Sequence, residues 1–462
     1  MAIGLAAGLS SCGDDAVASQ QSLSGQVWVD RVVSQAQALI EASRGQRFLS
    51  PVHGVWIRSG GYDSLVAALS AQYDLAGGDP SWTMTERTMI ALGMVDSAGQ
   101  WSKAQRGFDA SSILGFYLPL TKTLYVFDSK DEQELYHTVV HETVHALQDQ
   151  RFDLNAVDAR SREADEGNAV TSLIEGEAEY VTYSVMLDNP GPKLLKDSLD
   201  AYRPSVDRLA QAYGDLAKSK GMPLSMVLPE MMPYELGPRF VSEHRSGGGW
   251  SEVDSLFRSP VKTTRSVMRP EMRDTLIDWN PGGCPSVSGN WRPLQTGRVG
   301  AILLASLLYS WIPPTATLEG MVAAWGGDRF WTFESDAGLG LLWRTSWSDT
   351  SQARNFADGW WASRAARRAS AGMAALDMGS SQVREARNAS GSRAVRCEVR
   401  GSDVVIAEGF GSAENDSLAA KLFDLAKRSE FAGRSSGTGF GGGEWLPPRP
   451  VIPIPHPRPL GR

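Results

Sequence analysis

Two histidines four residues apart, in the string His141-Glu142-Thr143-Val144-His145, constrain the fold more than any other feature of the sequence. On an α-helix, side chains at positions i and i+4 lie on one face, so both imidazoles can reach a single metal ion. Histidine is rare in this chain, and chance seldom places two histidines around a glutamate at this spacing. The string therefore predicts a helix that carries two ligands of a zinc site. A helix with a few surface histidines is the alternative interpretation.

Glu142 lies on the flank of the same helical face, next to the first histidine. From there its carboxylate can take the proton of a water molecule polarised by the metal and deliver it to a departing amine. A purely structural zinc site would fill its fourth position, commonly with cysteine, and the chain has only three cysteines. We therefore predict that Glu142 is the general base of a catalytic zinc site.

The segments before this motif predict a small sheet packed against its helix. Runs of β-branched and aromatic residues at 113–118 and 123–127 flank a short turn and predict a hairpin. Ser129, followed three residues later by Glu132, has the spacing of a capping box and predicts a helix that continues to about residue 148. Apolar periodicity predicts further elements earlier in the chain, namely helices at 26–43 and 62–72 and a strand at 52–57.

A second helix, predicted at 162–187, offers the third metal ligand. Catalytic zinc sites use three protein ligands and leave one position open for water. Glu175 lies thirty residues after His145, and Glu179 lies one turn further along the same face, where it can accept a hydrogen bond from a ligand imidazole. Glu177 points to the opposite side of this helix, and we expect it to be solvated. An exposed acidic helix face is the alternative interpretation of all three glutamates.

The full pattern, His-Glu-x-x-His followed on a later helix by Glu175 and Glu179, resembles that of the gluzincin peptidases. The resemblance implies that His141, His145 and Glu175 bind one zinc ion and that Glu179 supports a ligand. It also implies an α+β fold with a zincin-like catalytic core at 25–190, in which a small sheet packs against the HExxH helix. The edge strand of that sheet would hold an extended peptide by β-augmentation. The expected function is therefore a zinc-dependent peptidase that acts on a peptide or protein substrate.

The longer string at 141–154 resembles a group of poorly characterised exported bacterial proteins. Three later strings match landmarks of that group: Pro-Tyr-Glu-Leu-Gly at 233–237, Gly-Gly-Trp at 248–250 and Trp-Gly-Gly-Asp-Arg at 325–329. The resemblance thus touches most of residues 110–360. In that group a His-Pro-Glu follows the Gly-Gly-Trp region, whereas Arg269-Pro270-Glu271 stands here. This departure supports the alternative function, a non-catalytic zincin-fold surface lipoprotein that binds a partner or a cell-wall component.

A peptidase of this kind also needs a hydrogen-bond donor that faces the oxyanion of the reaction. Tyr234, His244 and Arg269 are candidates, and we name Tyr234 and Arg269 as catalytic residues alongside Glu142. The sequence leaves open a structural role for each of them, since a tyrosine or arginine in a helical region is commonly a packing or surface residue.

Residues 1–12 resemble a shortened lipoprotein signal, because the string Leu-Ser-Ser-Cys that ends at Cys12 is similar to the lipobox of bacterial lipoproteins. The resemblance implies lipidation of Cys12, a flexible tether at 13–24 and a protein exported to the cell envelope and anchored in a membrane. An N-terminus of small residues with an incidental cysteine is the alternative. Cys284 and Cys397 then remain as a pair, which could form one disulfide in an oxidising compartment or stay as two buried thiols.

The region at 191–430 is predicted to be mainly helical and to complete the site and the fold. Its predicted elements are helices at 193–218, 233–244, 251–258, 299–311, 350–374 and 413–427 and a small hairpin at 393–405. Residues 431–462 are rich in glycine and then proline, and we predict that they are disordered. The net charge of −8 and the pI near 5.4 argue against nucleic acid as a partner.

Overall fold

The computed structural model describes most of the chain, and the fold is that of the described residues. These are residues 15–58, 60–73, 80–100, 114–129, 131–201, 205–270, 276–279, 283–309, 317–336, 338–370, 382–387, 394–425, 427–429 and 443–444. Cys12 and the lipobox lie outside the described residues. Within those ranges, no helix is both long enough and apolar enough to cross a membrane.

The helices are, in chain order, α1 (Asp15–Arg44), α2 (Tyr62–Tyr73), α3 (Pro80–Leu92), α4 (Glu132–Phe152), α5 (Leu154–Asp158), α6 (Ala164–Met186), α7 (Pro192–Ala201), α8 (Val206–Lys220), α9 (Leu224–Arg258), α10 (Thr264–Met268), α11 (Gly300–Tyr309), α12 (Leu318–Ala324), α13 (Thr350–Ser370) and α14 (Ser412–Asp424). The strands are β1 (His53–Ile57), β2 (Gly115–Leu118), β3 (Thr123–Phe127), β4 (Ile277–Trp279), β5 (Arg292–Gly297), β6 (Trp325–Ser335), β7 (Gly338–Trp347), β8 (Val383–Arg387), β9 (Ala394–Arg400), β10 (Asp403–Glu408), β11 (Lys427–Ser429) and β12 (Gly443–Glu444). The predicted α+β class is confirmed.

The predicted hairpin and the helix after it are both present, and they pack against each other. The first sheet has the strand order β1-β3-β2, with β1 parallel and β2 antiparallel to β3. Its apolar face packs on α4 and α1 through a buried cluster: Val29, Val32, Val33, Tyr117, Leu124, Val126, Leu135, Val139 and Ala146. Strand β2 is therefore an edge strand that lies beside the HExxH helix.

The start of α4 differs from the predicted capping box. Asp131 is the N-cap, and its carboxylate accepts hydrogen bonds from the backbone N–H groups of Gln133 at 3.1 Å and Glu134 at 3.0 Å. Ser129 instead accepts from the backbone N–H of Asp131 at 3.2 Å. Aspartate is as good an N-cap as serine, so spacing alone could not decide which of the two begins the helix.

The helical core is formed where α6 crosses α9. Gly176 and Gly237 meet at the crossing, since a Cβ atom on Gly176 would lie 2.3 Å from the carbonyl carbon of Gly237. The helices predicted at 233–244 and 251–258 belong to α9, which breaks at Gly249, where φ is 70°. The helix predicted at 193–218 is divided into α7 and α8. The crossing places Gly237 of the Pro-Tyr-Glu-Leu-Gly string directly beside the helix that carries Glu175.

The prediction of a mainly helical region at 191–430 is wrong in its second half. A seven-stranded sheet with the order β12-β5-β6-β7-β10-β9-β8 occupies this part of the chain. Both of its faces are buried: Phe330 and Trp343 pack on one side, Trp331 and Leu342 on the other. A strand buried on both faces has no polar and apolar alternation, so its sequence lacks the usual strand pattern. The hairpin predicted at 393–405 is part of this sheet, as β9 and β10.

The two cysteines of the disulfide hypothesis lie on opposite faces of this sheet. Cys397 on β9 is paired in register with Ile406, and both pack in the larger core cluster. Cys284 packs against the other cluster, which contains Val405 and Ala407 from the opposite face of β10. Both thiols are free, which is the second of the two alternatives that the sequence left open, and the sheet lies between them.

Both predicted flexible ends contain regular structure in part. Helix α1 begins at Asp15, so most of the segment interpreted as a tether is helical. Its run of Ala, Val, Gln, Ser and Leu has no proline and no glycine before Gly25, and nothing in it stops a helix. In the segment predicted to be disordered, Gly443–Glu444 pair with β5, and the other residues from 430 onwards lie outside the described ranges.

Candidate metal centre

The three predicted ligands come together where α4 faces α6. The Nε2 atoms of His141 and His145 are 3.0 Å apart. Oε2 of Glu175 lies 3.2 Å from the Nε2 atom of His141 and 3.3 Å from that of His145. No second group of histidine, cysteine and carboxylate side chains with this closeness occurs among the described residues.

This triangle has the dimensions of one face of a tetrahedral zinc site. Ligand bonds of about 2.0–2.1 Å at tetrahedral angles separate the donor atoms by about 3.3 Å. Two imidazole nitrogens and one carboxylate oxygen also form the donor set of zinc peptidases, with a fourth position left for water. The side chains of His141, His145 and Glu175 therefore fit a zinc ion in both chemistry and size.

The electrostatics of the three side chains also suit a cation. Burial lowers the pKa of His141, but hydrogen bonds with Glu175 and Glu179 outweigh it and raise that pKa to about 10. Burial would raise the pKa of Glu175, but the neighbouring imidazoles of His145 and His141 lower it well below its usual range. The carboxylates around the histidines thus favour positive charge at this place, and a metal ion bound in place of the imidazolium protons would supply it.

Glu179 takes the position that the helical spacing predicts. Its Oε1 atom lies 3.3 Å from Nδ1 of His141, and its side chain is fully buried. A carboxylate at Nδ1 holds the imidazole ring and leaves Nε2 free for the metal. His137, one turn before His141 on α4, also faces Glu179, with 3.9 Å between Nε2 and Oε2.

Glu142 is buried between α4 and the edge strand β2. Its Oε2 atom accepts a hydrogen bond of 2.8 Å from the backbone N–H of Tyr117. The hydroxyl of Tyr117 in turn donates to Asp149 on α4 at 2.7 Å, which fixes the strand against the helix. Burial raises the pKa of Glu142, although the two histidines oppose this. A carboxylate with a raised pKa beside a metal site is a stronger base than an exposed one.

Helix α9 brings two further residues near the metal centre: Tyr234, which the sequence analysis named, and Glu230, which it did not. The ring of Tyr234 lies 6.0 Å from that of His141, measured between centroids. Burial and then Glu175 raise the pKa of Tyr234 well above its usual value, so its phenol stays protonated and can donate. Glu230 lies one turn before Tyr234, and burial together with Glu175 raises its pKa to about 7. Its spacing from Tyr234 was the only signal in the sequence that could have indicated it.

The other two oxyanion candidates make different contacts. Nδ1 of His244 pairs with Glu252 at 2.6 Å, ten residues along α9 from Tyr234, or about 15 Å of helix. Arg269 follows α10 and lines a cavity with Glu235 and Arg239, and none of the three candidate ligands lines that cavity. Of the three candidates, Tyr234 is therefore the best placed to act at the metal centre.

Glu177 is not solvated, contrary to the prediction. Its side chain is 1% exposed and forms an ion pair with Arg44 at the end of α1. Its other oxygen accepts a hydrogen bond from the amide of Gln148 on α4 at 2.9 Å. The helical spacing could not show that Gln148 on α4 and Arg44, 133 residues before Glu177, cover this side of α6.

Comparison with known proteins adds one finding, which concerns the C-terminal sheet and not the metal centre. Residues 292–419 match the model of a domain of unknown function, DUF8575. The match begins at β5 and ends within α14, after every candidate residue at 141–269. No curated protein and no solved structure matches the chain.

Proposed function

We propose that this protein is a zinc-dependent peptidase. The observation that carries the proposal is the triangle of donor atoms from His141, His145 and Glu175, with sides of 3.0, 3.2 and 3.3 Å. Beside it, the buried carboxylate of Glu142 is held by a backbone N–H and takes no part in the triangle. Three ligands and a separate base are the parts that metal-assisted hydrolysis requires.

Each residue of the centre has a role in this proposal. A zinc ion supplies the electrophile that makes water nucleophilic near neutral pH and polarises the substrate carbonyl. Glu142 takes the proton of the attacking water and passes it to the departing amine, while Tyr117 holds its carboxylate in place. The phenol of Tyr234 is the donor that we propose for the oxyanion. Strand β2 is at the edge of its sheet and beside Glu142, where an extended peptide could add as a further strand.

A non-catalytic protein that keeps the metal only for binding is the competing function. Glu142 argues against it, because burial of a carboxylate costs free energy and a binding protein gains nothing from it. The departure at Arg269 was the main support for this alternative. Arg269 lines a cavity that the candidate ligands do not share.

Glu142→Gln separates the two functions. The amide oxygen can still accept from the backbone N–H of Tyr117, so we expect a folded protein with about one zinc per chain. Hydrolysis of a casein or peptide-library substrate should fall by about 10²–10⁴-fold, since an amide cannot take the proton. Glu132→Gln, at an exposed glutamate in the first turn of the same helix, should cleave at the wild-type rate. Wild-type hydrolysis by Glu142→Gln would contradict the proposal.

We also propose that the protein is exported and anchored through Cys12, on the strength of the lipobox-like string. Mass spectrometry of protein isolated from bacterial membranes should show a diacylglycerol-modified Cys12 at the N-terminus. Cys12→Ser should release the protein from the membrane fraction. An unmodified N-terminus on soluble wild-type protein would contradict the anchor.

A further inference from the structure

We infer that Arg44, Glu177 and Gln148 form a hydrogen-bonded relay that fixes the ring orientation and the tautomer of His145. The inference rests on the proposed metal centre and concerns how one of its ligands is held. His141 is supported directly by the carboxylate of Glu179. His145 has a neutral amide at the same position, and an amide supports a ligand only if something fixes which way it points.

The surroundings of Gln148 fix its amide. Its nitrogen Nε2 donates to the backbone carbonyl of Ile174 and to Oε2 of Glu177, both at 2.9 Å. Because both neighbours are acceptors, the nitrogen must face them and the oxygen Oε1 must face His145. That oxygen lies 2.8 Å from Nδ1 of His145. An amide oxygen can only accept, so Nδ1 carries the hydrogen and the lone pair of Nε2 faces the other two ligands.

The ion pair with Arg44 holds the carboxylate of Glu177 where it accepts the hydrogen bond from Gln148. The Nε atom of Arg44 lies 2.5 Å from Oε1 of Glu177, and both side chains are almost fully buried. A carboxylate so deeply buried is stable only with a compensating charge. Arg44 also pairs with Asp254 on α9, and its guanidinium lies 4.1 Å above the ring of Trp250.

The Gly-Gly-Trp string explains how Arg44 is held. Gly249 breaks α9 with a φ of 70°, a conformation that other residues rarely adopt. After the break, Trp250 donates from its indole nitrogen to the carbonyl of Ser43 at 3.2 Å, next to Arg44. This string therefore acts on the metal centre from a distance, through the end of α1, the carboxylate of Glu177 and the amide of Gln148.

Exchange of the amide at 148 and the carboxylate at 177 tests the inference. In Gln148→Glu, His145 still has an acceptor, but the new carboxylate faces the carboxylate of Glu177, and two acceptors meet. In Glu177→Gln, the new amide nitrogen faces either the amide nitrogen of Gln148 or the guanidinium of Arg44, and two donors meet. We expect each single variant to bind zinc about 10–100-fold more weakly than wild type, as measured by competition with a chromogenic chelator. In the double variant, the amide at 177 can donate to the carboxylate at 148 and accept from Arg44, but the hydrogen bond to the carbonyl of Ile174 stays lost. Zinc affinity should therefore return in part, to a value above that of either single variant.

Glu166→Gln is the matched control. Glu166 is a buried glutamate on the same helix, it contacts Arg298 and the backbone N–H of Arg162, and it lies nine residues, or about 13 Å of helix, before Glu175. It should bind zinc as wild type does, even if it lowers the melting temperature. Circular dichroism of every variant establishes that it is folded.

The outcomes for the relay and for the peptidase are distinct. Wild-type zinc affinity in both single variants, or a double variant as weak as the weaker single one, would overturn the relay. Neither result would affect hydrolysis by the wild type or its loss in Glu142→Gln. Conversely, recovery of zinc affinity in the double variant supports the relay even if the wild type hydrolyses no peptide.

Discussion

Helix α6 carries two groups of buried acids, and they are neutralised in different ways. At its N-terminal end, the arginine cluster consists of Glu163, Asp165, Glu166, Asp278, Arg298 and Arg329. Arg329 holds both oxygens of Asp278, at 3.0 and 2.7 Å, and Glu163 at 2.9 Å. Further along, Glu175 contacts the imidazole nitrogens of His141 and His145 and, among the described residues, no guanidinium or ammonium group. Buried acids can thus be matched by arginines, whose charge is permanent, or by histidines, which can release a proton and bind a metal cation instead.

The arginine cluster also connects the helical core to the C-terminal sheet. Arg298 and Arg329 both belong to the segment that matches DUF8575, while Glu163 is the N-cap residue of α6. Their neighbour Asp328 accepts from the backbone N–H groups of Val299 and Gly300 at the start of α11. The Trp-Gly-Gly-Asp-Arg string is therefore a structural junction that holds one end of the helix that supplies the third ligand.

Of the changes to these two groups of acids, removal of the Glu175 carboxylate should lower zinc affinity the most. Glu175→Ala leaves only the histidine pair, so we expect zinc affinity to fall by more than about 100-fold and hydrolysis to be lost with it. Glu179→Ala should cost about 10–100-fold, since it removes the support of a ligand and not a ligand. Zinc titration of the purified variants measures both losses. Wild-type affinity in Glu175→Ala would show that the triangle does not hold the metal.

Disruption of the arginine cluster should affect stability instead. Arg329→Met leaves Asp278 and Glu163 with one guanidinium fewer, and such a change typically costs about 3–5 kcal/mol. Denaturant unfolding followed by tryptophan fluorescence measures the loss. Zinc affinity of the folded variant should match wild type. A parallel loss of zinc affinity would show that the two clusters are coupled through α6.

The smallest expected effect concerns the pH dependence of stability. Burial raises the pKa of Asp165 from 3.8 to about 7, with Asp328 adding to the shift while Arg298 and Thr264 oppose it. The folded state therefore holds this proton more tightly than the unfolded state, and stability is lost as pH rises from about 4 to 7. Asp165→Asn should make the melting temperature less dependent on pH in that window. A melting temperature that depends on pH in the variant as it does in wild type would contradict the raised pKa of Asp165.

Much of the metal centre could be predicted from the sequence because its residues lie on two regular helices. Spacings of four residues placed His141 beside His145 and put Glu175 and Glu179 on one face of their helix, and in the structure both glutamates contact His141. The contacts that depend on chain crossings could not be predicted in this way. Arg44 reaches Glu177 only because α1 packs against α6.

The C-terminal sheet was missed for a different reason. Strands β6 and β7 are buried on both faces and are rich in Trp, Phe and Leu, so their periodicity does not separate them from buried helices. The Trp-Gly-Gly-Asp-Arg string was recognised as a landmark, but its role needs the structure. A Cβ atom on Gly327 would lie 1.9 Å from the carbonyl oxygen of Ile277, so the glycine admits β4 beside β6.

The position of the metal is the most direct test of the account. Crystals of the zinc-loaded protein, measured on both sides of the zinc absorption edge, give an anomalous difference map that locates the ion without reference to any assumed ligand. The account predicts one peak per chain, bonded to Nε2 of His141, Nε2 of His145 and a carboxylate oxygen of Glu175 at about 2.0–2.2 Å. Glu142 should lie near the peak without bonding to it. A peak elsewhere, or no peak in protein that has bound zinc in solution, would contradict the central claim.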